Sequence, residues 1–101
     1  MATLPVAIPR QAIAAFCERN DIRKLSLFGS VLTERFRDES DIDMLVEFEP
    51  GRVPGYFGLV GMEMELSEMM GRKVDLRTAG ELSRYFRDQV VAGAVPQYER
   101  Q

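Results

Sequence analysis

The sequence predicts an α/β domain in which helices cover a small sheet of three or four strands. Three observations lead there. The stretch "DIDMLVEF", residues 41 to 48, alternates cleanly, with Ile42, Met44, Val46 and Phe48 on one face and Asp41, Asp43 and Glu47 on the other. The stretch "RKVDLRT", residues 72 to 78, repeats the pattern, with Val74 and Leu76 inward and Lys73, Asp75 and Arg77 pointing the opposite way. Between and around these strands the apolar residues fall at helical spacing instead.

In chain order, Pro9 to about Asn20 places Ile13, Phe16 and Cys17 on one helical face, with Pro9 suited to a first turn and Asn20 able to close the end. "KLSLFGS" comes next as a short strand, Leu25 and Leu27 on one side and Ser26 and Phe28 on the other, ended by Gly29. Residues 31 to 40 are polar and read as a short helical turn and loop. After the strand at 41 to 48, "EPGRVPG" is a loop, since two prolines and two glycines in seven residues suit no regular element. Tyr56 to about Met70 reads as a helix stopped by Gly71. Thr78 and Glu81 have the spacing of a capping box, which predicts a helical segment carrying Leu82, Tyr85, Phe86 and Val90.

At 101 residues the chain is expected to form one domain, residues 1–101, able to bury roughly 60 to 70% of the surface its unfolded form exposes. The N-terminus lacks a basic leader ahead of a continuous apolar block, and no apolar run approaches the ~20 residues a membrane span requires, so a cytoplasmic protein is expected. Cys17 is the only cysteine and there is no histidine. An internal disulfide and the zinc sites built on Cys and His are thereby excluded, and any metal must be held by oxygen. The formal charge of −3 argues against direct nucleic-acid binding through a basic face.

Residues two apart in a strand project from one face, so Asp41 and Asp43 set their carboxylates side by side. Two such charges ~4 Å apart repel by about 4 kcal/mol at an effective dielectric of 20. Mg²⁺ offsets that repulsion, because it takes oxygen ligands and is commonly held by one or two carboxylates together with substrate phosphates. The plain alternative is two solvated charges at a sheet edge. Gly29-Ser30, directly after a strand, lets backbone approach an anion and supplies amide and hydroxyl donors, although an isolated pair of this kind is most often a turn. Asp75 is a third carboxylate on a polar strand face, able to bind a metal or take a proton; alone it is more often a surface charge. The methionines of "GMEMELSEMMG" (Met62, Met64, Met69 and Met70) read mainly as core filling and ordinary surface, with a shared interface as the other use. Lys73 and Arg77 flank Asp75 and either balance the carboxylate charge or meet a phosphate or a partner. Tyr98 reads as a late aromatic packed on the domain, and Cys17 as a small buried residue.

Taken together, "FGS" after a strand, ten residues, "DID" and a later "VDL" resemble the DNA polymerase beta-like nucleotidyltransferase superfamily, and within it the minimal nucleotidyltransferases, the MNT group. The likeness runs from about Ile13 to Tyr98. It implies a small mixed β-sheet packed by helices. It also implies that Gly29 and Ser30 hold the triphosphate of a nucleotide, that Asp41 and Asp43 ligate Mg²⁺, and that Asp75 completes a two-metal site. ATP is the implied substrate. The implied activity is transfer of AMP to a hydroxyl, a tyrosine in some relatives, of a partner HEPN ribonuclease toxin, for which the chain is the antitoxin. One departure stands out. Relatives often carry an Arg-Gly step shortly after the serine, whereas "SVLTERF" sets Thr33 and Glu34 there. Arg35 or Arg37 is left to reach phosphate, and Glu34 is unfavourable beside one, so the departure bears on rate. Two other readings stand beside this one: a catalytically weak antitoxin that acts by complex formation, and a small-molecule nucleotidyltransferase, for which the chain has no room for an acceptor domain.

Overall fold

Alternating strands pack one apolar face against amphipathic helices, and this is what a computed structural model of the chain, describing residues 4–100, shows. The order is helix α1 (Arg10–Arg19), strand β1 (Ile22–Phe28), a 3₁₀ turn (Gly29–Leu32), β2 (Ile42–Phe48), α2 (Tyr56–Met70), β3 (Val74–Thr78), a second 3₁₀ turn (Ala79–Glu81), α3 (Arg87–Gly93) and β4 (Val95–Glu99). The sheet runs β3-β2-β1-β4. β1 is antiparallel to β2 and to β4, whereas β2 and β3 are parallel, so the sheet is mixed. A parallel pair needs a crossover, and α2 supplies it.

The core lies on one side of the sheet. Leu25 and Leu27, Ile42, Met44 and Val46, and Val74 and Leu76 meet Ile13, Phe16 and Cys17 of α1 and Leu66 of α2, all buried. Burial and the neighbouring Glu18 charge push the Cys17 thiol up to about 12, which leaves it inert at neutral pH. The Asn20 side-chain amide donates to the Phe16 carbonyl at 2.8 Å and closes α1. Asp21 then takes a left-handed conformation, φ 55°, which turns the chain into β1.

The Met-rich helix divides as its spacing suggests. Met62, Met69 and Met70 pack against the core, and Met64 is 66% exposed. Gly71, left-handed at φ 69°, ends α2 where the sequence placed its stop. α2 also covers the outer edge of β3. The Val74 N–H donates to the Ser67 hydroxyl at 2.9 Å and the Leu76 N–H donates to Glu63 Oε2 at 2.8 Å, so two edge donors are satisfied by side chains one helical turn apart. Among the described residues no helix is long and apolar enough to cross a membrane.

The helix expected after Thr78 is corrected. The capping box forms, with the Thr78 N–H donating to Glu81 Oε1 at 2.9 Å, but it opens only the turn Ala79–Glu81. Leu82, Tyr85 and Phe86 lie outside a helix, and Val90 alone falls within α3. Two local competitors explain the break. The Ser83 hydroxyl accepts from the Tyr85 N–H at 3.3 Å, and the Arg87 guanidinium donates to the Leu82 carbonyl at 2.9 Å and the Gly80 carbonyl at 3.3 Å, occupying groups that a continuing helix would use. Of the three or four strands expected, four are present among the described residues, and β4 is the one no alternation announced. Pro96 masks it, since proline gives up a ladder donor, yet β4 is an edge strand and tolerates one. Tyr98 pairs across from Leu25 and packs on the core.

Candidate active site

Strand pairing brings the predicted residues to one end of the sheet, on the face opposite the core. Asp43 is the Cα partner of Phe28 on β1 and of Asp75 on β3, so it sits centrally, with the Gly29 turn on one side and a second carboxylate on the other. Asp41 lies two residues before it, just ahead of the strand. The turn and the carboxylate are packed as one unit. Gly29 is left-handed, φ +77°, and a β-carbon built there would collide with Asp43 Oδ2 and lie 3.2 Å from its Cγ. Both the backbone angle and the space therefore demand glycine at this position.

The carboxylates are also coupled electrically. Burial holds the Asp43 carboxyl above its usual range, the charges of Asp75 and Asp41 raise it further, and Arg77 opposes them. Lys73 Nζ stands 3.8 Å from Asp41 Oδ2, and Arg77 Nη1 stands 3.9 Å from Glu81 Oε2. Both pairs are solvent-exposed, so each contributes at most about 1 kcal/mol. Among the described residues no three acidic or thiol side chains already enclose a space for a metal ion. The oxygen-only donor set, with one carboxyl already carrying the repulsion of two others, suits a hard divalent cation whose remaining ligands are waters and phosphate oxygens.

Sequence reasoning did not find what Thr33 does. Its hydroxyl donates to the Ser30 carbonyl at 2.9 Å, its N–H donates to the same carbonyl at 2.9 Å, and its Oγ1 accepts from the Arg35 N–H at 3.1 Å. Thr33 thus braces the Gly29–Leu32 turn; the Ser-x-x-Thr spacing was the available signal. The two arginines left to reach phosphate differ. Arg37 donates to the Glu34 and Phe36 carbonyls at 2.8 and 3.1 Å, which ties it to its own loop. That loop is held in turn by Arg72, which lies 4.7 Å over the Phe36 ring and donates to the Arg37 carbonyl at 3.1 Å. The Arg35 side chain makes no ion pair or hydrogen bond among the described residues.

Comparison with known proteins bears on the family and the fold. The family model for the nucleotidyltransferase domain matches residues 9–95. A Methanocaldococcus jannaschii protein provisionally named a protein adenylyltransferase is 32% identical over 77 residues, which span 76% of this chain and 81% of that one. A solved structure described provisionally as a minimal nucleotidyltransferase superposes with a TM-score of 0.70 at 32% identity, covering 86% of this chain and 87% of that chain. A chain from the complex of tri-AMPylated Shewanella oneidensis HEPN toxin with MNT antitoxin superposes with a TM-score of 0.64 over 91% of this chain and 71% of that one. At 21% identity that last likeness is one of fold.

Proposed function

Because the chain belongs to the nucleotidyltransferase domain family, we propose that it transfers AMP from ATP to a hydroxyl of a partner protein, a HEPN ribonuclease toxin, and so serves as that toxin's antitoxin. On this reading residues 1–101 act as one catalytic domain in the cytoplasm. The observation that carries it is the pairing of Asp43 with Asp75 across β2 and β3, beside a glycine turn packed on the Asp43 carboxylate. A protein acceptor is supported by the name of the Methanocaldococcus relative, and a HEPN acceptor by the AMPylated toxin in the Shewanella complex.

In this mechanism the amides of Gly29 and Ser30 and the Ser30 hydroxyl donate to phosphate oxygens of ATP. Asp41, Asp43 and Asp75 hold Mg²⁺, which when bound stabilises charge on the attacking and leaving oxygens of an in-line displacement. The acceptor oxygen, a tyrosine hydroxyl in the favoured case, forms a bond to the α-phosphorus. The bond from that phosphorus to the bridging oxygen breaks, and pyrophosphate departs with the electron pair. Asp75 takes the hydroxyl proton and passes it to water. Arg35, untethered near the turn, replaces the family's missing arginine; Glu34 beside it slows the step.

A second reading, neutralisation by complex formation alone, is favoured by that Glu34 and by the tethering of Arg37. Co-expression with the HEPN partner followed by intact-mass measurement separates them. The transferase reading expects a partner heavier by one or more AMP units, and no gain with Asp43→Asn. A stable complex of unmodified mass in both cases supports the binding reading, and full modification by Asp43→Asn refutes the site.

A further inference from the structure

A groove between β3 and the N-terminal half of α2 adjoins the acidic cluster and shares only Asp75 with the roles given above. It holds about 160 Å³, with Leu59 and Val60 of α2 on one wall, Asp75 and Arg77 of β3 on the other, and Tyr56 and Glu81 at its mouth. Its size decides what fits. Whole small ligands occupy pockets of roughly 300–1,000 Å³, whereas this space takes a single side chain of something larger.

Its position decides what that side chain meets. Along the sheet order, the Gly29–Ser30 turn ends β1, Asp43 lies on β2, and Asp75 lies on β3 opposite Asp43, each step about 4.8 Å wide. Phosphates held at the turn with the α-phosphorus over Asp43 direct the leaving pyrophosphate toward β1. In-line displacement then requires the attacking oxygen to arrive from the opposite side, which is the β3 side. There the groove opens, with Asp75 as a wall common to both spaces.

Its rim and charge describe the remainder of the occupant. Tyr56 and Phe57 are 75% and 87% exposed, and their rings meet edge to face with centroids 5.7 Å apart. Exposed aromatics are enriched at protein interfaces, with tyrosine among the anchors. Three carboxylates, Glu63, Asp75 and Glu81, line the groove against one guanidinium, Arg77. The surface is therefore acidic and suits a basic segment.

We propose that this groove is the acceptor subsite, which takes the hydroxyl-bearing side chain, a tyrosine, of a basic segment of the partner protein. Tyr56 and Phe57 grip that segment from outside, and Asp75 faces the hydroxyl whose proton it accepts as the oxygen-to-phosphorus bond forms and pyrophosphate leaves. The proposal rests on the transferase reading.

Steady-state AMP transfer to the purified HEPN partner, in parallel with calorimetric binding of a non-hydrolysable ATP analogue with Mg²⁺, tests it in the full chain. Tyr56→Ala/Phe57→Ala should raise the KM for the partner about tenfold or more and leave the dissociation constant of the analogue unchanged. Val60→Arg, which plugs the groove from a partly buried helix position, should lower kcat/KM for the partner in the same way. An unchanged partner KM and kcat/KM in both variants overturns the proposal, as does weakened analogue binding, which would make the groove part of the nucleotide site. If the unaltered chain binds the analogue and the partner yet transfers nothing, the transferase reading itself falls and the acceptor subsite falls with it.

Discussion

Asp43 is held in a position that suits a ligand to a cation and does not suit the fold. Burial raises its pKa, and Asp75 and Asp41 raise it further. A carboxyl whose folded pKa lies above its ordinary value of about 3.9 contributes stability that is fully present below that value and is lost as pH rises through the folded one. At neutral pH, without magnesium, the ionised group therefore opposes folding, and Asp43→Asn removes the opposition. Because Asp43 is only partly buried, solvent screening keeps the gain modest, and it is read as a small rise in Tm. Thermal melts in a chelator should show the variant more stable at pH 7, with the difference shrinking as pH falls toward about 4. A gain that persists undiminished in acid would show that electrostatics is not its source. At this scale the sequence was informative, since strand alternation alone puts Asp41 and Asp43 on one side. The contact of Gly29 with Asp43 was not legible, because it depends on the register between β1 and β2.

Elements are legible where burial has a period, and obscure where local polar groups decide. α2 and β2 carry long apolar patterns; α2 accords with the sequence down to the left-handed Gly71, and β2 begins one residue later than expected, at Ile42. The Thr78–Glu81 box is a true local signal, yet it encodes one turn only, and the path of the chain beyond it depends on Ser83 and on Arg87 reaching back to carbonyls. A covering element can also stabilise a strand without touching its core face, as α2 does for β3. Glu63→Ala leaves the Leu76 N–H without its partner at the edge, at a cost of about 1–2 kcal/mol. Hydrogen exchange at Leu76 should accelerate about tenfold or more in that variant, while amides of β1, central in the sheet, keep most of their protection. Equal acceleration throughout would mean that Glu63 acts through global stability and not as the guard of this edge.

At the scale of the whole molecule, the order β3-β2-β1-β4 does more than pack a core. It sets the Gly29–Ser30 turn, the acidic cluster and the groove beside β3 in one line across the sheet, which is the order that the proposed in-line displacement needs. The ranking was invisible in the sequence, because nothing local says that β3 pairs parallel to β2 with Asp75 opposite Asp43. It has a thermodynamic consequence. Among the described residues no three carboxylates already enclose a metal space, so on the proposed function phosphate oxygens would complete the cluster, and metal and nucleotide should bind as one cooperative unit. A ligand at ten times its dissociation constant raises stability by roughly 1.4 kcal/mol, which for a domain of this size moves Tm by about 6–11 °C. Mg²⁺ alone and an ATP analogue alone should each move Tm by a small fraction of that. The two together should give the full shift, and Asp43→Asn should lose it despite the higher starting stability of its metal-free form. Shifts that simply add would place the metal and the nucleotide at separate sites, and the line across the sheet would then be a coincidence of packing.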